Sequence, residues 1–507
     1  MDLNRSAGRT AAALIAAGLA SSLLAIPASA AEPPAPELQW GPCPADVPTA
    51  PYDIKCAVLP VPVNYADPDG PQMDLMISRM ASQNPERRRG VLLLDPGGPG
   101  GSGLTFSADL AKQGLPSSVL DGYDLIGMDT RGVGHSSPVS CGFTEEQARY
   151  GNMPPYAVDD AAVIERAEPA RRIAEQCDQH DQDGRLRSLT TANMARDLDR
   201  IRAALGEQKA GFYGASYGSA LGSAYASMFP ERTDRVVLDS IIGDTVLDRE
   251  GMRRYGLGTE QAFPDFAAWV AERHGSYGLG STPEEVRRTY FELADRLHAQ
   301  PVAGVDGGIF RLATFGGLFG EPAYGRTAQL WQSLRDSDEA AVRNQLGATD
   351  GPAGQLSPAD NSLSVFLAVS CNDVNWPEDI KTYRHGVAED RERFPLYGAA
   401  TANVMPCAFW AHEPAEPPAP VIDDGSQNVL IVQNRRDPVT PHLGAEMLRE
   451  KFGDRARLVS VDEAGHGAYL NSGNACALDV TTAFLVDGER PEQDMSCAAS
   501  ATRGDAN

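Results

Sequence analysis

Lysine is nearly missing from this chain. Only five of its 44 basic residues are Lys, and 69 Asp and Glu set against them give a formal charge of −25 over 507 residues. A chain so short of cations has no broad basic face for phosphates, which argues against a nucleic-acid partner. Metal-binding spacings are lacking too. No Cys-x-x-Cys and no His-Glu-x-x-His occurs, so no metal or other cofactor is expected. Beyond residue 30 no stretch is long and apolar enough to span a bilayer, so no membrane anchor is expected. Near the start there is no Arg pair for a twin-arginine signal and no Cys for a lipid anchor. What is present is ordinary globular composition, 42% hydrophobic and 22% charged.

The first thirty residues have the layout of a Sec-type signal peptide. Arg5 and Arg9 open it, Ala11 to Ile26 supply the apolar stretch, and Ala28-Ser29-Ala30 the small-residue cleavage site. The expected destination is extracellular. In that oxidising setting an even number of cysteines reads as disulfides. The eight fall into four local couples. The expected pairing is sequential, Cys43 with Cys56, Cys141 with Cys177, Cys371 with Cys407 and Cys476 with Cys497, although spacing alone leaves other pairings open.

Residues 31–89 read as an N-terminal arm and first strands, with seven prolines between 31 and 52. From residue 90 to 245, short apolar runs alternate with helical stretches. The runs at 90–95, 123–129, 211–213 and 235–239 are too short for core helices and end at Gly or Asp or lead into them. Met194, Leu198, Ile201 and Leu205 recur at helical spacing between them. Strands alternating with helices imply a mainly parallel sheet. The rhythm stops at residues 246–410, which read as a helical insertion capping the core. It resumes over 411–497, after a proline-rich linker at 413–420, with strands at 428–433 and 457–461. Residues 498–507 are a tail.

Gly214-Ala215-Ser216-Tyr217-Gly218 lies between the strand at 211–213 and a small-residue helix over 220–228. Gly-x-Ser-x-Gly in that context is the turn that lifts a serine hydroxyl above a sheet edge. Asp437 follows the strand at 428–433, and His466 follows the strand at 457–461. Serine, acid, histidine is the chain order such a triad requires, at the strand ends where an open α/β sheet gathers its site. The expected roles are Ser216 as nucleophile, His466 as general base and acid, and Asp437 as its orienting partner. The oxyanion would take the amide of Tyr217 and one from Pro96-Gly97-Gly98-Pro99-Gly100-Gly101-Ser102-Gly103, where Gly98 is favoured.

Together with Asp129-Thr130-Arg131-Gly132-Val133-Gly134-His135-Ser136, these motifs resemble the α/β-hydrolase peptidases related to prolyl iminopeptidase. More closely they resemble the exported tripeptidyl aminopeptidases of actinomycetes, over about residues 36–497. The resemblance implies an α/β-hydrolase fold with a helical cap. It also implies a serine exopeptidase that releases tripeptides, or tetrapeptides, from peptides with free N-termini. Where prolyl iminopeptidases carry His before Gly-Gly-Pro-Gly, this chain has Pro96 preceded by Asp95. The rival expectations are a prolyl-iminopeptidase-like enzyme, a carboxylesterase or amidase on the same triad, and a binding module that has lost catalysis. Asp373 in the insertion is the candidate for the substrate ammonium, with helix capping as its alternative role. Asp129 and Arg131 are expected to be structural, and His180 to sit in a solvated loop. The expected state is a monomer.

Overall fold

The structure is a computed structural model that describes residues 37–346 and 358–500. The expected signal peptide lies outside the described residues. Ten strands form one sheet: β1 (Gly41–Pro42), β2 (Ile54–Pro62), β3 (Gln72–Met80), β4 (Gly90–Asp95), β5 (Tyr123–Met128), β6 (Ala210–Ala215), β7 (Thr233–Asp239), β8 (Val429–Arg436), β9 (Ala456–Ala464) and β10 (Met495–Cys497). Their order is β1-β2-β3-β5-β4-β6-β7-β8-β9-β10. From β5 to β10 every pair is parallel, whereas β1, β2 and β3 add on antiparallel. β4 and β5 are buried at every position, as central parallel strands covered on both faces must be. β2 and β3 alternate more between buried and exposed positions, the signature of a strand with one wet face.

The helix Thr191–Ala204 starts where the Thr190 side chain accepts from the Asn193 amide, a serviceable N-cap. It buries Met194, Leu198 and Ile201 on one stripe. The helix Tyr217–Met228 is buried from Tyr217 through Ser227. Its Gly, Ala and Ser residues let it lie against β6 and β7 at close range.

The insertion is helical, as expected, but it divides in two. Residues 262–342, joined by Leu396, build a separate aromatic core around Phe263, Phe266, Tyr290 and Trp331. The helix Pro358–Asp373 instead buries Leu363, Phe366 and Leu367 in the main core. The free-standing cap is therefore shorter than 246–410. The linker at 413–420 is pinned rather than loose: Glu416 pairs with Arg196 and Ala419 O accepts from Thr245. All four sequential disulfides are formed. Cys371–Cys407 closes the second half of the insertion, and Cys476–Cys497 holds the helix Ala475–Asp487 to the three-residue edge strand β10. Among the described residues no helix is long and apolar enough to cross a membrane.

Arg131 is fully buried and meets Asp197 through two bonds, Nε to Oδ2 at 2.7 Å and Nη2 to Oδ1 at 2.6 Å. Its remaining donors reach the carbonyls of Pro62, Val63 and Ser188, and Tyr65 donates to Asp197 at 2.7 Å. Every polar atom is matched, so the structural role expected for Arg131 holds. Removing one partner would strand a charge in the core. Asp197→Ala is expected to cost about 3–5 kcal/mol, read from urea unfolding midpoints. A loss under about 1 kcal/mol would contradict this account of the pair.

Candidate active site

β6 ends at Ala215, and Ser216 follows with φ 58° and ψ −124°. A non-glycine residue held there is strained, and the strain persists only where surroundings enforce it. Enforcement comes from the neighbouring strand, since the Ser216 amide donates to Asp239 O at the end of β7, 2.9 Å away. It also comes from lack of room. A Cβ on Gly218 would lie 2.6 Å from Asp95 O, so the helix can start this close to β4 only without a side chain there.

Asp437 follows β8 and is fully buried. Its Oδ1 accepts from the amides of Val439 and Thr440, both at 2.9 Å, and its Oδ2 from Thr440 Oγ1 at 2.8 Å. The same carboxylate faces His466 Nδ1 at 2.9 and 3.1 Å. That contact fixes the proton on Nδ1 and leaves Nε2 as the base. Burial pulls the imidazolium down, but the charge and hydrogen bond of Asp437, with Asp239 beyond it, outweigh burial and hold His466 above its ordinary value. The loop carrying His466 is fastened to β7: Ser240 Oγ accepts from Gly467 N, and Asp239 accepts from Ala468 N and Tyr469 N.

The glycine-rich loop lies against the serine turn. A Cβ on Gly97 would meet Ala215 O at 2.5 Å and Tyr217 N at 2.9 Å, and Gly97 has φ +90°, so only glycine fits. Gly97 N is engaged by Asp95 Oδ1 at 2.8 Å. The next amide, that of Gly98, meets no acceptor among the described residues. Tyr217 N is the first helical amide and has no intrahelical partner. The Tyr217 ring turns away into the core, where its hydroxyl meets Thr191 Oγ1 at 2.6 Å. Two open donors are thus available beside Ser216, as an oxyanion site requires.

The insertion reaches the site at several points. Phe319 O accepts from His466 N at 2.8 Å, and the two rings meet edge to face at 5.4 Å. Gly258, on the helix Arg249–Glu272, abuts the carbonyls of Asp437 and Pro438. Asp265 on the same helix binds Arg436. Phe319 had no motif to announce it. Asp239 could have been suspected from its place at the end of a central parallel strand.

Asp373 is not offered to a substrate amine. Its carboxylate is buried, with Oδ1 accepting from Thr191 N at 2.8 Å and Oδ2 from Thr191 Oγ1 at 2.6 Å. It closes the start of the helix Thr191–Ala204, so the capping role holds, although on a helix far away in sequence. Asp129 is structural: it accepts from Ser102 Oγ and His135 N, tying the glycine-rich loop to the turn at 129–136. His180 ends the helix Asp160–His180 rather than lying in a loop, and it contacts Gln176 O. Among the described residues no group of side chains could hold a metal ion.

A strained serine between strand and helix, and an aspartate bonded to a partly buried histidine on a loop tied to the same strand end, fit a serine hydrolase of the α/β-hydrolase peptidase type. Residues 90–301 match the family described as alpha/beta hydrolase fold, and residues 394–497 the family described as TAP-like protein. The tripeptidyl aminopeptidase of Streptomyces lividans is 32% identical over 92% of this chain and 87% of its own length. A carboxylesterase B of Mycobacterium tuberculosis is 30% identical over 92% and 90%, and the serine protease Hip1 of that species 29% over 91% of each. The chain belongs to the α/β-hydrolase family of the tripeptidyl aminopeptidases.

Two pH effects follow. With His466 held above the ordinary 6.5, kcat/KM is expected to rise through a midpoint above 6.5, because only neutral imidazole accepts the serine proton. A pH–rate profile with its acid limb centred near 5 would contradict this. Burial also pushes Asp95 up to about 7 from 3.8, against the pull of the Gly97 amide. Between those values the folded chain keeps a proton that the unfolded chain has lost, so this group makes stability fall as pH rises from about 4 to 7. Asp95→Asn removes the effect. Relative to wild type it is expected to gain about 2–4 kcal/mol more at pH 8 than at pH 4, read by urea unfolding at each pH. An unchanged difference would remove the argument.

Proposed function

We propose that this chain is a secreted serine exopeptidase that releases tripeptides, or tetrapeptides, from free peptide N-termini through an acyl-enzyme. One observation carries the proposal: His466, bonded to buried Asp437 and to the cap at Phe319 O, on a loop tied through Asp239 to the strained Ser216. Ser216 Oγ attacks the scissile carbonyl carbon while His466 Nε2 takes its proton. The oxyanion is met by the amides of Gly98 and Tyr217. His466 then passes the proton to the leaving amine, and the C–N bond breaks to leave an ester on Ser216. Water, deprotonated by His466, hydrolyses the ester and restores the serine. Asp437 stabilises the imidazolium at both stages.

The tripeptide length rests on the similarity to tripeptidyl aminopeptidases across most of both chains. The exopeptidase character is supported by a cap that contacts the histidine loop. Export is supported by the leader layout of residues 1–30 and by four disulfides. The esterase reading is favoured by one observation, the 30% identity to a carboxylesterase B.

Free and N-acetylated tripeptide anilides, tested beside simple aryl esters, separate the two. Acetylation is expected to lower kcat/KM by about 10²-fold or more, as loss of a desolvated charge contact does. Ser216→Ala is expected to fold and to lose about 10⁴-fold in kcat. Equal cleavage of free and acetylated substrates would overturn the aminopeptidase reading in favour of the esterase or amidase. Turnover by Ser216→Ala would overturn the mechanism itself.

A further inference from the structure

The helix Asp160–His180 borders a cavity of about 760 Å³ that none of Ser216, Asp437 or His466 lines. One part of the wall is apolar, formed by Met153, Ile173, Leu363, Leu367 and Met405, and the rest is polar. Arg166 also lines it. Its only hydrogen bond among the described residues runs from Nε to Val404 O at 3.3 Å, and no carboxylate of those residues pairs with it. Most arginines of the chain are matched, including the two others at this cavity: Arg149 with Asp306 and Arg172 with Glu168. In a chain of net charge −25, a half-buried guanidinium left without an acid has had many available counter-ions withheld from it. Burial pulls Arg166 down to about 10 with only Tyr150 raising it, which agrees with the missing partner.

We propose that this cavity is a non-catalytic binding site for an organic monocarboxylate with an apolar body. The two free nitrogens of Arg166 take the carboxylate as a planar fork. The apolar part of the wall takes the body. A phosphate fits the site poorly. Only one cation at this cavity lacks an acid among the described residues, and Glu146 stands at the wall. The same chemistry belongs to the C-terminus of a peptide ending in an apolar residue and to a medium-chain fatty acid.

The test is titration calorimetry of the intact enzyme with two pairs of probes that it cannot cleave: N-acetyl-leucine against its amide, and octanoate against octanol. Binding of an acid but not of its neutral partner is the expected result. If only N-acetyl-leucine binds, the ligand is a peptide end; if only octanoate binds, it is a fatty acid. Arg166→Gln is expected to weaken binding of the acid at least tenfold, and Arg166→Lys less so, because charge remains while the fork is lost. Thermal unfolding of both variants checks that they fold. Leu367→Trp, which fills the cavity and keeps Arg166, is expected to weaken binding too. Equal binding of acid and neutral partner, an unaffected Arg166→Gln, or no binding by either acid would each overturn the proposal.

Discussion

One buried residue ties the segment that carries Ser216 to the segment that carries His466. Asp239 ends β7 in full burial. Its main-chain carbonyl receives the amide of Ser216, while its side-chain oxygens receive the amides of Ala468 and Tyr469, two and three residues past His466. Tyr213 and Ser240 donate to it as well. Serine and histidine come from distant parts of the chain, and this residue grips both loops through main-chain atoms. Burial raises its carboxyl against the pull of those donors. Its surroundings supply the charge-matching donors that a buried carboxylate needs.

Around that grip the site is built by crowding. β4, β6 and the glycine-rich loop converge on Ser216 with no room for side chains at Gly97 or Gly218. Crowding leaves Asp95 without a cation among the described residues, and its carboxylate rests on the amide of Gly97. Tyr217 shows the same economy of space: its amide faces the reacting region while its ring is anchored in the core through Thr191 and Met194. The amides proposed as oxyanion donors are therefore held in packed backbone.

Much of this was legible in the chain. The strands at 90–95 and 123–128 announce themselves because burial on both faces demands unbroken apolar runs. The triad is legible because its members must follow strand ends in a set order. What escaped has a common physical reason, namely partners far apart in sequence. Asp373 reads as an unattached carboxylate until Thr191 is seen beside it. The helix Pro358–Asp373 lies within the stretch that reads as cap, and only packing assigns it to the main core. The three residues of β10 carry no period at all. Arg166 differs from its neighbours by a missing contact, which no pattern of residues can express.

The bond from His466 N to Phe319 O joins the general base to the cap. The histidine hangs between the sheet, through Asp437 and the loop at 467–469, and the roof, through one cap carbonyl. A displacement of the roof that carries Phe319 outward removes an acceptor from the backbone of the general base. The backbone of His466 thus feels the position of the cap directly, through one main-chain hydrogen bond.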